Sequence, residues 1–329
     1  MILVVIRKHD AHGTHMLELL RKRGEDVIAL DYAIYPQQLN ISFFSENGRE
    51  RLLFRFSDKS VVSSTEVKSV LNRRQAEPLA PDDIKDQRIA DYIVRESRNF
   101  LDALPQMLHC FWLSNPEAVR IASRKPYQLM VARQLGFFTP PTVITNSPEE
   151  LEQFLREVNS DVACKALWTP GITLESNGKE TGIALYTRRL KPEEVLKAIS
   201  NVKNCPMIFQ VYVDKAFELR ITVVGKKVFA CAIHSQKSER TKEDWRRYDL
   251  ENTPHEEYNL PGDIQQKCIQ LVEHLGLAFG CIDMIITPSR EYVFLEINPN
   301  GNWLWIEHLT GLPISETIAE LLANPPQMT

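Results

Sequence analysis

The chain has 329 residues, 43% of them hydrophobic and 25% charged, with a formal net charge of −4. Such a length suggests two or three packed units with a core that needs no disulfide or metal staple, and the charge argues against a nucleic-acid partner. Six cysteines, at 110, 164, 205, 231, 268 and 281, form no C-x-x-C pair and lie mostly in apolar runs such as VACKAL and VFACAI, as small buried hydrophobes of a reducing cytosol would.

Ile2–Ile6 is a continuous β-branched run, the pattern of a buried parallel strand. It is shorter than a signal-peptide core and no long apolar segment follows, so a cytoplasmic protein without a membrane partner is expected. A polar loop with His9, Asp10, His12 and Gly13 precedes a helix over Thr14–Arg23, and Val27–Leu30 reads as a second strand. This β-α-β order predicts a small α/β domain. Ile41–Phe44 and Arg51–Phe56 flank SENGRE, an Asn-Gly hairpin signal. Val67–Leu71 is a strand ending at Asn72, Arg73 and Arg74, and 87–109 reads as a long amphipathic helix. Ser114-Asn115-Pro116-Glu117 is a helix start near the first expected boundary, and a further helix covers Pro126–Leu135.

Thr142–Thr145 reads as a strand, Ser147–Val158 as a capped helix and Asp161–Trp168 as a strand carrying Lys165. A polar loop with Gly171, Gly178 and Gly182 follows, then a strand Gly182–Thr187 and a helix Pro192–Ser200, with a second boundary near Asn204. Strands are expected at Met207–Tyr212, Glu218–Val224, Lys227–His234, Gly280–Thr287 and Tyr292–Glu296. Helices are expected at Asp263–Leu275 and Ile314–Leu322, and 235–260 reads as a polar loop. The expected units are 1-113, 114-204 and 205-329.

The strongest chemical signal is CIDMIITPSREYVFLEINPNG. Period-two alternation puts Glu296 and Asn298 on one strand face, and hairpin pairing would bring Asp283 beside Glu296. Two carboxylates and one amide oxygen suit magnesium, which keeps waters and shares substrate phosphates, and are too few for a calcium cage. The alternative is two solvated acids on an edge hairpin. Strands this apolar make unpaired carboxylates expensive.

The string D-M-I-I-T-P-S-R-E-Y-V-F-L-E-I-N-P-N-G resembles the metal-binding signature of ATP-grasp enzymes. Trp303-Leu304-Trp305-Ile306-Glu307 after Gly301, the run FQVYVDKAFELRITVVGKKVFACAIHSQ, then DWRR, and the earlier LMVARQLGF are similar to the ATP-grasp ligases of microviridin-type graspetides. Those enzymes cross-link ribosomally made peptides through ω-esters or ω-amides. The resemblance runs from about residue 110 to the end, and before it only Val70–Arg74 shares the pattern.

The resemblance implies an α/β ATP-grasp architecture of three α/β domains, with ATP between the central and C-terminal ones, and ATP and Mg2+ as cofactors. It implies metal ligation by Asp283, Glu296 and Asn298, and phosphate contacts from Lys125 and Lys165. The loop 169–181 would be a phosphate-covering lid; it lacks the G-K-[ST] of a Walker-type loop. Gln210–Val213, Tyr212 included, would hold the adenine, with Gln210 where most ATP-grasp enzymes have Glu. Glu218 would bind the ribose. Arg220 and Arg246 would act with Lys165 on the reacting phosphoryl group. Some of these ligases have an arginine two residues before the metal Asp; Cys281 stands there in this chain, which places more weight on Arg220 and Arg246. Each arginine has a surface ion pair as its alternative, and Lys125 and Lys165 an ordinary surface position.

Arg73 and Arg74 read either as binders of acidic substrate side chains or as a solvated basic pair. Trp303 and Trp305 read as aromatic core or as a wall of the substrate pocket. His9, Asp10 and His12 read better as a polar loop than as a metal site. The leading expectation is a ligase that activates Asp or Glu side chains of a precursor peptide with a leader segment, in a protein that admits a homodimer. A small-molecule carboxylate–amine ligase and a non-catalytic peptide- or nucleotide-binding protein stay open beside it.

Overall fold

The run Ile2–Ile6 lies between Val27–Asp31 and Ser69–Asn72 in a four-stranded parallel sheet completed by Phe111–Leu113. The structure is a computed structural model and describes residues 1–46, 48–168, 171–176 and 179–327. A parallel sheet apolar on both faces needs cover on both. On one face, helix Ala11–Lys22 packs Met16, Leu17 and Leu20 against Ile2 and Val4. On the other, Leu3, Val5 and Val70 pack with Leu101, Leu104 and an antiparallel sheet of Leu39–Glu46, Arg49–Phe56 and Val61–Ser63.

The first helix starts at Ala11 rather than Thr14 because Asp10 caps it, accepting from the His12 amide at 3.2 Å. The helix expected over 87–109 ends at Asp102, and Pro105 lies in a separate short helix, Leu104–Met107. At the expected Asn-Gly turn Gly48 has φ 70°, a conformation glycine adopts freely, while Asn47 lies outside the described residues.

A second, antiparallel sheet runs Arg188–Leu190, Val162–Lys165, Met207–Val211, Thr142–Thr145. Met207–Val211, expected beyond the boundary near Asn204, is hydrogen-bonded on both edges here, so the chain leaves this sheet only after Val211. The stretch read as a loop up to Gly182 contains an antiparallel pair, Gly171–Ser176 with Lys179–Ala184. Ile172, Thr173 and Leu174 carry a strand propensity that the neighbouring glycines obscured. Positions 169, 170, 177 and 178 of the expected lid lie outside the described residues.

The largest sheet is antiparallel: His255–Glu257, Lys227–Ile233, Phe217–Val224, Phe279–Ile286, Tyr292–Asn298. One face packs Leu219, Ile221, Ile282 and Met284 against helices Lys125–Gln134 and Gly262–His274. At one end of the opposite face Cys231, Phe279 and Cys281 share a core with helices Leu304–Thr310 and Ile314–Ala323 and with the first parallel sheet. The N-terminal unit is thereby joined to the sheet that bears the chemistry. Among the described residues the six cysteines are free, and no helix is long and apolar enough to cross a membrane.

Candidate active site

Strand register sets the site. Asp283 stands opposite Arg220 on one neighbouring strand and opposite Glu296 on the other, and Asn298 stands opposite Cys281. Alternation sends these side chains, with Glu218, to the face away from Leu219, Ile221, Ile282 and Ile297. The ladder shifts between Asp283 and Met284, where Leu295 is passed over; a bulge of this kind re-aims the residues beside it.

Arg220 Nη1 donates to both Asp283 oxygens, at 3.0 and 2.8 Å, and Asn298 Nδ2 donates to Asp283 Oδ2 at 2.9 Å. Lys125 Nζ lies 2.7 Å from Glu296 Oε2. Burial pushes Asp283 up, and Arg220 offsets this only in part. Burial also works against charge on Glu296, but Lys125, with Lys165 and Arg246 behind it, outweighs that and holds the carboxyl at about 2. The loop after Asn298 passes close over these groups. A Cβ on Gly301 would fall 2.6 Å from Cys281 Cβ and 2.8 Å from Arg220 Nη2, so the path requires glycine.

Lys165 Nζ donates to Gln210 Oε1 at 2.8 Å, and Gln210 Nε2 donates to Thr142 Oγ1 at 2.9 Å. Burial pushes Lys165 down to about 8, against the pull of Glu296. Glu218 is ion-paired with Lys215, whose Nζ also donates to the Glu243 carbonyl at 3.1 Å. Burial dominates at Glu218 and raises it to about 7 despite Lys215. Arg246 is held by Asp244, with Nε at 2.8 Å and Nη2 at 2.5 Å from its oxygens. Burial opposes the Asp244 charge, but Arg246 overrides it and keeps the carboxyl at about 2.

These groups converge on one cavity between the central and largest sheets. Lys125, Lys165, Glu218, Arg246, Asp283, Glu296 and Asn298 line it, with Gln210, Tyr212 and Val213 along one side and Met284, Ile285 and Leu295 beneath. Arg220 faces an adjoining cavity that shares Asp283, Glu296 and Asn298. Two buried polar atoms of the site have no partner among the described residues, Glu218 Oε2 and Arg220 Nε. Lys215, Asp244 and Thr142 carried no expectation. Asp244 was legible as an N-cap before Arg246 in DWRR; Lys215 and Thr142 act across elements that spacing does not relate.

Arg73 and Trp303 correct the expectation of substrate contact, since each is 1% exposed. Arg73 Nη1 donates to the Asn300 carbonyl at 2.8 Å and side chain at 2.9 Å, its Nη2 binds Asn302, and its guanidinium lies over Trp303. Trp303 Nε1 donates to Ser315 Oγ at 3.0 Å. Both knit the N-terminal sheet to the loop after Asn298. Arg74 is exposed and lines the adjoining cavity. Asp10 is spent on the helix cap and on Arg73, 3.7 Å away, and His12 packs edge-on against Trp303. Among the described residues no cluster of three or more His, Cys, Asp or Glu could hold a metal; Asp283, Glu296 and the Asn298 amide stand side by side on one face of the sheet.

Residues 122–322 match the RimK-like ATP-grasp domain, and residues 1–120 the MvdD pre-ATP grasp domain. The chain is similar to a RiPP-associated ATP-grasp ligase from Chryseobacterium gregarium, solved with ADP and a leader and core peptide. The identity is 30%, the match covers 99% of this chain and 97% of that one, and the TM-score is 0.87. Macrocyclase MdnC from Microcystis aeruginosa MRC, bound to precursor peptide MdnA, is 31% identical over 99% of this chain and 100% of its own, at a TM-score of 0.83. Macrocyclase MdnB from the same organism is 28% identical over 98% and 99%, at 0.76. No curated protein matched in the sequence comparison. The matched span and the two relatives at or above 30% identity place this chain in the RimK-like ATP-grasp family of ligases, which it joins to a pre-ATP-grasp domain.

Proposed function

We propose that the chain activates Asp or Glu side chains of a precursor peptide with ATP and joins them to Ser or Thr hydroxyls or Lys amines. The observation that carries this reading is the row Arg220, Asp283, Glu296 across three adjacent strands, with Lys125 and Lys165 beside it. The relatives solved with leader, core or precursor peptides support the choice of substrate.

The residues fit magnesium and ATP. Two carboxylates and an amide oxygen are a hard donor set for magnesium, and the unpartnered Glu218 Oε2 suits a ribose hydroxyl donor. Bound ATP would supply a γ-phosphoryl group to the carboxylate, with ADP as the leaving group, and the hydroxyl or amine would then displace phosphate; magnesium would supply charge beside the transfer. Lys125 and Lys165 bind phosphate oxygens, with Lys165 aimed by Gln210. Gln210–Val213 flank the base. Arg220, fixed by Asp283, and Arg246, fixed by Asp244, present guanidinium groups where negative charge grows. Their pre-set positions lower the reorganisation needed during transfer. The setting is cytoplasmic, without nucleic acid or membrane.

The test is a hydroxylamine trap. An acidic precursor peptide, Mg-ATP and hydroxylamine should give a peptide hydroxamate at Asp or Glu and an equal amount of ADP. ADP release driven by free amino acids with the peptide unmodified would overturn the peptide reading.

A further inference from the structure

The adjoining cavity, about 450 Å3, shares Asp283, Glu296, Asn298, Arg246 and Trp245 with the nucleotide pocket and has none of Gln210–Val213, while Trp305 and Tyr248 line it alone. One part of its lining is cationic, with Arg74 from the N-terminal unit and Arg246. Another part is aromatic. Trp245 stacks on Trp305 with centroids 5.0 Å apart, and Tyr248 stands at 90° to Trp245 at 5.9 Å.

Trp245 and Trp305 are partly buried against the core beneath them, and two further facts separate Tyr248 from core packing. Tyr248 is 54% exposed. Its φ of 45° lies in the region that side-chain-bearing residues rarely adopt, and such conformations gather at ligand-binding sites. A packed core would compensate that strain by burying the ring, which does not happen here. Two ring planes at right angles make an L-shaped corner. A third ring can stack on one and meet the edge of the other, the two arrangements aromatic pairs prefer.

We propose that Trp245, Trp305 and Tyr248 form a subsite for an aromatic side chain that neighbours the reacting Asp or Glu in the peptide, an inference that rests on the peptide-ligase reading above. The carboxylate then points toward Arg220 and Arg246 while the adjacent ring fills the corner. The corner sets sequence preference, and the cations set the demand for an acid.

The experiment compares two acidic peptides that differ only beside the reacting residue, Phe in one and Ser in the other. The wild type should favour the Phe peptide in kcat/KM by roughly tenfold, mostly through KM. Tyr248→Ala and Trp305→Ala should each reduce that ratio to about threefold or less, a change that general destabilisation would not produce because it lowers both peptides alike. Trp305 is partly buried, so Tyr248→Ala, at an exposed ring, carries the test if the Trp305 variant fails to fold. Equal use of the two peptides by the wild type, or full preference in Tyr248→Ala, overturns the subsite. Modification of neither peptide overturns the ligase reading itself and the subsite with it, an outcome distinct from turnover without preference.

Discussion

Lys125 Nζ and Glu296 Oε2 meet at 2.7 Å, joining the start of helix Lys125–Gln134 to the last strand of the largest sheet. A lysine assigned to phosphate and a carboxylate assigned to metal neutralise one another across the site. Under the proposed roles, ligand entry would exchange one ion pair for two, with metal on Glu296 and phosphate on Lys125.

Removal of one partner leaves the other poorly compensated. Lys125→Met should lower stability by about 2 kcal/mol, because Glu296 keeps a partly buried charge without its nearest cation. Lys125→Met with Glu296→Gln should recover part of the loss. Urea unfolding of the single and double variants measures the coupling; strict additivity would mean the pair contributes nothing.

Lys165, in its proposed role, should make nucleotide binding depend on pH. Its ordinary value lies above 10, and burial, only partly offset by Glu296, brings it to about 8 in the free protein. The ammonium is charged below that point and neutral above it, so attraction for phosphates is present at pH 7 and fades as pH rises past about 8. Magnesium-free ADP should bind more weakly by up to about tenfold per unit above pH 8. Lys165→Arg should flatten this dependence. A flat wild-type profile from pH 7 to 9.5, followed by calorimetry, would contradict the assignment.

Neighbouring arginines should separate by role. Arg73→Ala removes a buried guanidinium that binds Asn300 and Asn302 and leaves Asp10 uncompensated, and should cost about 3 kcal/mol. Arg74→Ala, at an exposed side chain, should change stability by less than about 0.5 kcal/mol and raise the KM for an acidic peptide. Equal melting temperatures for the two variants would contradict the division.

Gly301→Ala should lower turnover at least about tenfold. The new methyl must displace Cys281 or the Arg220 guanidinium, and ångström-scale misplacement of a catalytic group has effects of this size. Steady-state rates beside ADP affinity check it, since a change confined to affinity would place the defect elsewhere.

Much of this was legible in the sequence, for reasons that differ by element. Asp283, Glu296 and Asn298 were related by strand period and a short turn, so their shared face followed from local geometry. Lys165 stood out as a charge inside an apolar strand. Contacts between distant elements carry no periodic signal: Arg73 with Asn300, Lys125 with Glu296 and Lys215 with Glu218 exist only once the sheets pack. Arg73 and Arg74 are alike as sequence, and only packing buries one and exposes the other. Gly171–Ser176 was misread because glycine content outweighed the β-branched residues beside it.

The central claim is tested most directly by mass spectrometry of any short acidic peptide found encoded beside this gene, after incubation with the protein and Mg-ATP. The wild type should yield products lighter by one water per cross-link, and Glu296→Gln, shown to be folded at the assay temperature, should yield none. Unchanged peptide mass with the wild type, together with ATP hydrolysis that no encoded peptide stimulates, would contradict the account.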